Sequence, residues 1–269
     1  MVLYLILKKI NSKSSKKYVN TNHGGLSIWK EINALLPSES TLYISDAKYA
    51  PYGTKGKEAI LKRSIINTEL LLSMGAKIVV VACNTATTNA IAYLRKNYQV
   101  PFIGIEPAIK PAAFNTKTNA IGILATKGTL SSALFHETSQ RYTKDLKVVE
   151  QEGNGIVELI EAGALNSMEM KQLLQKYITP MLDANIDCLV LGCTHYHFLN
   201  PILKKILPEE ITIIESGLAI ARQTASVLQK NNLLNTKTSS AEHSFFTNGS
   251  REVMANLMRW KKTSIQKLD

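Results

Sequence analysis

Two cysteines stand in the same local context at distant points of the chain. The run Val79-Val80-Val81-Ala82 is short, apolar and mostly β-branched, and it breaks at Cys83-Asn84-Thr85. Leu189-Val190-Leu191-Gly192 breaks the same way at Cys193-Thr194-His195. Apolar runs of this length, ended by small polar residues and a helical pattern, read as buried strands feeding helices. A thiolate is the reactive form of cysteine, and a helix N-terminus favours negative charge. Two thiols so placed suit inversion at carbon: one removes a proton and the other delivers one to the opposite face. One cysteine with His195 as its base would instead suit nucleophilic catalysis. Packed structural thiols are the plain alternative, and a disulfide is disfavoured in a reducing compartment. Cys188, inside Ile186-Asp187-Cys188-Leu189, reads as a buried small hydrophobe. Cys193, His195 and His197 lack a fourth ligand, so no metal is expected.

The remaining chain alternates strands and helices. Leu42 to Ile44 reads as a strand leading to Ser45-Asp46 and the turn residues Pro51-Tyr52-Gly53. Residues 57–74 follow a helical period, with Leu61, Ile65, Thr68 and Leu72 expected inward and Gly75 as the stop. Strands are expected at Ile78 to Ala82, Phe102 to Ile105, Ile121 to Ala125, Leu146 to Val149, Cys188 to Gly192 and Ile211 to Ile214. Between them fall helices over Thr85 to Asn97, from Thr129 to about Tyr142, and over Ile156 to Ala162. Another opens at Asn166 as N-cap, its stripe of Met170, Leu173, Leu174, Tyr177 and Met181 read as packing. Phe198 to Leu207 and the stretch from Ser216-Gly217 to Gln229 complete the set, and a last helix carries Val253, Leu257 and Trp260. Near the start, the apolar run Val2 to Leu7 gives way to a lysine- and serine-rich stretch to Lys17 that reads as exposed. Gly24-Gly25 then opens an amphipathic helix. This alternation implies an α/β protein with mostly parallel sheets, and the repeated strand–Cys–helix unit suggests two similar lobes with the active site between them. In parallel sheets ligands sit at the carboxyl ends of strands, where Gly24-Gly25, Asp46 to Gly53, Cys83, Thr126 to Thr129 and Cys193 all fall.

Composition narrows the class. The 269 residues allow one large domain or two medium ones, and 45% hydrophobic with 20% charged residues is ordinary for a soluble globular protein. The formal charge of +11 is spread along the chain and accompanies no nucleic-acid-reading motif. Three cysteines without a CxxC spacing do not make a secreted disulfide framework. The apolar start is far below the ~20 residues that a membrane span needs and lacks the flanks of a signal peptide. A cytoplasmic protein is expected, with no membrane or nucleic-acid partner.

The motifs Gly24-Gly25-Leu26-Ser27, Pro51-Tyr52-Gly53-Thr54, Ala82-Cys83-Asn84-Thr85-Ala86, Ile105-Glu106-Pro107-Ala108, Ala125-Thr126-Lys127-Gly128-Thr129 and Leu191-Gly192-Cys193-Thr194-His195 occur in this order from about Tyr18 onward. Together they resemble the glutamate racemases of the aspartate/glutamate racemase superfamily. The resemblance implies cofactor-independent, two-base interconversion of L- and D-glutamate, supplying D-glutamate for peptidoglycan. Cys83 and Cys193 would be the acid/base thiols, with His195 assisting Cys193. Substrate contacts would come from Asn20, Thr21, Pro51, Tyr52, Gly53, Asn84, Thr85, Thr126 and Thr194. The family fold implies one lobe from residues 1–103 plus 215–269 and a second from 104–214, in a homodimer with no cofactor and no metal. The chain departs from the family pattern at several places. Asn20 stands where the family carries an aspartate, an amide that keeps the size and loses charge and base character. His197 stands where proline is usual, Glu215 near an expected aspartate, and Ser250 where an acidic or amide residue often follows Thr-Asn-Gly. A racemase for another amino acid such as aspartate, or a relative of weak activity with a binding role, are the readings these departures leave beside the first.

Overall fold

The computed structural model describes residues 3–8, 24–235, 240–258 and 264–268. The chain divides into two compact units, Met1–Ile105 with Gly217–Asp269, and Glu106–Ser216. The first unit runs β1 (Leu3–Lys8), α1 (Gly24–Leu35), β2 (Ser40–Ser45), α2 (Lys57–Ser73), β3 (Ala76–Val81), α3 (Asn84–Asn97) and β4 (Phe102–Gly104). The second continues with α4 (Ile109–Asn115), β5 (Ala120–Ala125), α5 (Lys127–Leu130), α6 (Ala133–Tyr142), β6 (Lys147–Glu152), α7 (Ile156–Glu161), α8 (Met168–Asp183) and β7 (Cys188–Gly192). A 3-10 turn (Thr194–Leu199), α9 (Asn200–Ile206) and β8 (Thr212–Ile214) complete it. The chain then returns to the first unit as α10 (Gly217–Lys230), β9 (His243–Thr247), α11 (Arg251–Met258) and β10 (Ile265–Lys267).

Strand composition explains the layering. Side chains alternate across a strand, so a run apolar at every position is stable only when both sheet faces are covered. Ile78, Val79, Val80 and Val81 are all fully buried, and Ile78 and Val80 join Trp29, Tyr43 and Phe245 in one core. In the second unit Leu189 and Leu191 face the core built by α7 and α8. Cys188 and Val190 face the opposite core, with Ile109 and Phe135. The second sheet, in the order β6-β5-β7-β8, is wholly parallel. The first, in the order β10-β9-β2-β1-β3-β4, is parallel except at β1. The fold class is therefore α/β with mostly parallel sheets.

Three local expectations are corrected. Leu3–Lys8, read only as an apolar run, is an inner strand antiparallel to both neighbours, with Leu3 opposite Ser45 and Tyr4 opposite Val81. Leu3 to Leu7 is apolar at every position, so its pattern carries no direction. On α2 the buried face is Ile60, Ser64, Asn67, Thr68 and Leu71, one step from the expected stripe, and Leu61, Ile65 and Leu72 are half-buried. Ser64 Oγ donates to the Ile60 carbonyl at 2.8 Å, which lets a short polar side chain occupy a core position. The α8 N-cap is Ser167 rather than Asn166: its Oγ accepts from the Met170 amide at 3.0 Å. Tyr18 to His23 and Trp260 lie outside the described residues.

Candidate active site

In the first unit, Cys83 leaves β3 in extended conformation (φ −149°, ψ 122°) and caps α3, its Sγ accepting the Ala86 amide at 3.4 Å. The turn is fixed from beneath by Thr87, whose hydroxyl donates to the Val81 carbonyl at 3.1 Å and accepts the Ile105 amide at 2.9 Å. Burial pushes the Cys83 thiol up, and the amides at the helix start offset this only in part. Cys83 is therefore a protonated thiol near neutral pH. Beside it Asn84 and Thr85 are buried, and Asn84 Nδ2 has no hydrogen-bond partner among the described residues. A buried amide donor at a helix N-terminus is equipped to take a carboxylate.

Two strands away, Asp46 succeeds β2 and is fully buried. Arg63 of α2 grips it with two bonds, Nε to Oδ2 at 2.9 Å and a terminal nitrogen to Oδ1 at 2.6 Å. The Tyr52 hydroxyl and the Asn248 amide donate to the same carboxylate. Burial pushes the Asp46 carboxyl up, yet the bonds from Arg63, Tyr52 and Asn248 outweigh it and hold the carboxyl below its ordinary value. This charged hub orients Tyr52, itself buried between half-buried Pro51 and Gly53. The turn carrying Tyr52 packs against α3. Asn20 and Thr21 lie outside the described residues.

In the second unit, Ala125 pairs with Gly192, so Thr126 and Cys193 sit just past the carboxyl ends of adjacent strands. Gly192 permits that closeness: a Cβ there would lie 2.6 Å from Ala125 Cβ. Thr126 caps the short α5, and its hydroxyl bonds that of Thr129 at 3.0 Å. Cys193 repeats the extended geometry of Cys83 (φ −144°, ψ 134°) but opens a 3-10 turn, and no cap bond to its side chain forms. Its partner is an imidazole. Cys193 Sγ lies 3.8 Å from His195 Nδ1, and His195 Nε2 lies 2.8 Å from Glu161 Oε1. A carboxylate only accepts, so Nε2 carries the proton and Nδ1 faces the sulfur with a lone pair. Burial lowers the His195 pKa and the bond to Glu161 restores part of it, which keeps the ring neutral and able to receive the thiol proton. Cys188 faces the core, and burial beside Asp187 raises its thiol to about 11. Thr194 is buried next to Cys193.

Glu161 was not foreseen from the sequence. A carboxylate ending a short helix is electrostatically unfavourable there, and that misfit was the one available signal. The flagged departures His197 and Glu215 bond each other, Nδ1 to Oε1 at 2.7 Å, and Asn200 Nδ2 donates to Glu215 Oε2 at 3.0 Å. Among the described residues no group of three metal-ligating side chains forms, and no helix is long and apolar enough to cross a membrane.

Comparison with known proteins bears on this arrangement. The sequence pattern of the Asp/Glu/Hydantoin racemases matches residues 17–224. A glutamate racemase of Ectopseudomonas mendocina is 48% identical over 81% of this chain and 83% of its own. Among solved structures, a glutamate racemase isoform from Bacillus anthracis superposes with a TM-score of 0.83 at 31% identity, covering 93% of this chain and 96% of that one. The Escherichia coli glutamate racemase, solved with L-glutamate and the activator UDP-MurNAc-Ala, superposes with a TM-score of 0.81 at 32% identity, over 92% and 95% of the two chains.

Proposed function

We propose a function from one premise: the chain belongs to the Asp/Glu/Hydantoin racemase family. The protein is a glutamate racemase that interconverts the L and D enantiomers without a cofactor and supplies D-glutamate for peptidoglycan. Cys83 and Cys193 act as the two acid/base groups on one Cα. The observation that carries this reading is the line Cys193–His195–Glu161, a thiol with a neutral imidazole oriented to take its proton.

In one direction, Cys193 gives its proton to His195 Nδ1, and the resulting thiolate takes the α-proton of glutamate. The Cα–H electron pair delocalises into the carboxylate, giving a planar carbanion. Cys83, held protonated, delivers its proton to the other face, and the new C–H bond completes inversion. This leaves Cys83 as the thiolate and His195 protonated. The reverse direction starts from that state: Cys83 takes the α-proton, Cys193 gives its own and His195 returns a proton to Cys193. Exchange with solvent after product release restores the starting state. Asn20, Thr21, Pro51, Tyr52, Gly53, Asn84, Thr85, Thr126 and Thr194 bind the substrate. The protein works in the cytoplasm as a homodimer, which light scattering on the purified protein measures.

The test is L-glutamate in D2O with no added cofactor: optical rotation decays and deuterium enters Cα. Absence of α-proton exchange from both enantiomers at high protein concentration refutes the reading. Cys83→Ser and Cys193→Ser each abolish racemisation. The amide at Asn20 motivates a second reading, a weakened racemase with a binding role. A large gain in rate in Asn20→Asp marks a weakened enzyme, whereas no gain marks a different role.

A further inference from the structure

A 3-10 turn has about three residues per turn, so three consecutive side chains leave it about 120° apart. In the turn that begins at Cys193, three such residues are each anchored to a different element. His195 bonds Glu161 at the end of α7. Tyr196, fully buried, donates its hydroxyl to the Gly153 carbonyl at 3.1 Å. Gly153 has no side chain to obstruct this, since a Cβ there would lie 2.3 Å from the Tyr196 oxygen. His197 bonds Glu215, the residue after β8. The Tyr196 amide donates to the Cys193 carbonyl at 3.0 Å where the turn begins. The three side-chain anchors tie the turn to three other elements.

We infer that the His197–Glu215 pair is a positioning device for the second catalytic thiol, the third leg of a tripod that aims His195 Nδ1 at Cys193 Sγ. This rests on the racemase reading above. Both oxygens of the Glu215 carboxylate are engaged: Oε1 accepts from His197 Nδ1 and Oε2 from Asn200 Nδ2. The Asn200 amide is oriented for that bond although its Oδ1 is then buried with no partner among the described residues. A flipped amide would set oxygen against carboxylate, so Glu215 fixes the orientation. Because the carboxylate can only accept, His197 donates from Nδ1. Glu215 and Cys193 come just after neighbouring parallel strands, with Val190 opposite Ile214, so the tether spans the carboxyl ends of β7 and β8. The next residue, Ser216, donates its hydroxyl to the Glu106 carbonyl at 2.8 Å, which fixes the strand end from the other side.

Both members are partly exposed, 43% for His197 and 32% for Glu215, so the pair adds little to global stability. That separates positioning from folding. His197→Ala lowers kcat for glutamate on the order of tenfold, since small misplacements of acid/base groups are costly. KM changes less than about twofold, because a group acting only on the proton transfer adds little to substrate binding. His197→Gln, whose amide reaches the same carboxylate, restores most of the rate. The double variant His197→Ala/Glu215→Ala is no slower than the slower single variant, as members of one unit are not additive. Iodoacetamide labelling, read by peptide mass, adds a measurement independent of turnover. The labelling rate of Cys193 changes at least about twofold in His197→Ala, whereas that of Cys83, in the other unit, does not. Unchanged kcat and labelling, or equal changes at both cysteines, overturn the inference. If the wild type itself fails to racemise, the function reading falls and the labelling ratio still decides the tether.

Discussion

Glu161→Gln isolates what the carboxylate does for the second thiol. His195 is nearly fully buried, and its Nε2–H donates to Glu161 at 2.8 Å. A hydrogen bond to a charged acceptor is worth about 1.5–3 kcal/mol and a neutral one about 0.5–1.5, so the substitution removes roughly 1–1.5 kcal/mol. The Glu161 side chain is 26% exposed, which places the loss toward the lower end. At about 1.4 kcal/mol per decade this is a fivefold to tenfold fall in kcat. Glu161→Ala does more: it removes the carboxylate acceptor of the buried Nε2–H and frees the ring to put its proton on Nδ1, facing the sulfur. That tautomer cannot receive the thiol proton, and the loss is on the order of 30- to 100-fold. The assay is polarimetric turnover in both directions. The products are mirror images, so kcat/KM falls by one factor each way. The acid limb adds a signed check. Glu161 raises the His195 pKa against the effect of burial, so removing it lowers that pKa further. The plateau falls while the acid limb moves to lower pH. Wild-type kcat in Glu161→Ala, or an acid limb moved to higher pH, refutes the assigned roles of Glu161 and His195.

Arg63→Met leaves the buried Asp46 carboxylate without its guanidinium and costs about 3–5 kcal/mol in urea unfolding at pH 7. Because the folded Asp46 pKa is lowered, its stabilisation is present above the unfolded value of about 3.9 and is lost as pH falls through the folded value; the deficit of the variant therefore shrinks in acid. Burial raises the Cys83 thiol above the ordinary cysteine range, so iodoacetamide labelling of Cys83 in the free protein climbs with pH and reaches half its maximum above about 8.5. A midpoint near 7 contradicts this. Gly192→Ala drives a Cβ to 2.6 Å from Ala125, costs about 1–3 kcal/mol in denaturant and slows turnover by shifting Cys193.

The strand–cysteine–helix repeat is legible because fully apolar strands ending in small polar residues have few other uses. Both cysteines indeed leave their strands with nearly the same backbone angles. The surroundings of the two thiols are not legible. One thiol meets a helix amide and the other an imidazole, since a 3-10 turn and an α-helix begin with similar residues. Glu161 comes from another element, 34 residues away from His195, and no local pattern links the two. The phase of α2 escapes a hydrophobicity pattern, which does not register a serine that satisfies itself on its own helix. Strand β1 escapes it too, because a short apolar run from Leu3 to Leu7 states neither its partner nor its direction.

The division of the chain also has a consequence for biosynthesis. Glu106–Ser216 is one continuous segment and carries every strand of its own sheet. The other unit begins earlier but ends later. Strand β9 pairs along β2, and Phe245 stacks with Trp29 and Tyr43 in a core that is incomplete until residue 245 has been synthesised. Until then β2 offers an open edge, the kind of surface that invites association with other chains. The inserted segment can thus reach its native packing on the ribosome first, while the flanking one waits for its last strands. Nascent chains stalled once residue 235 has just cleared the ribosome would expose the two halves to protease unequally, with the inserted half the more resistant.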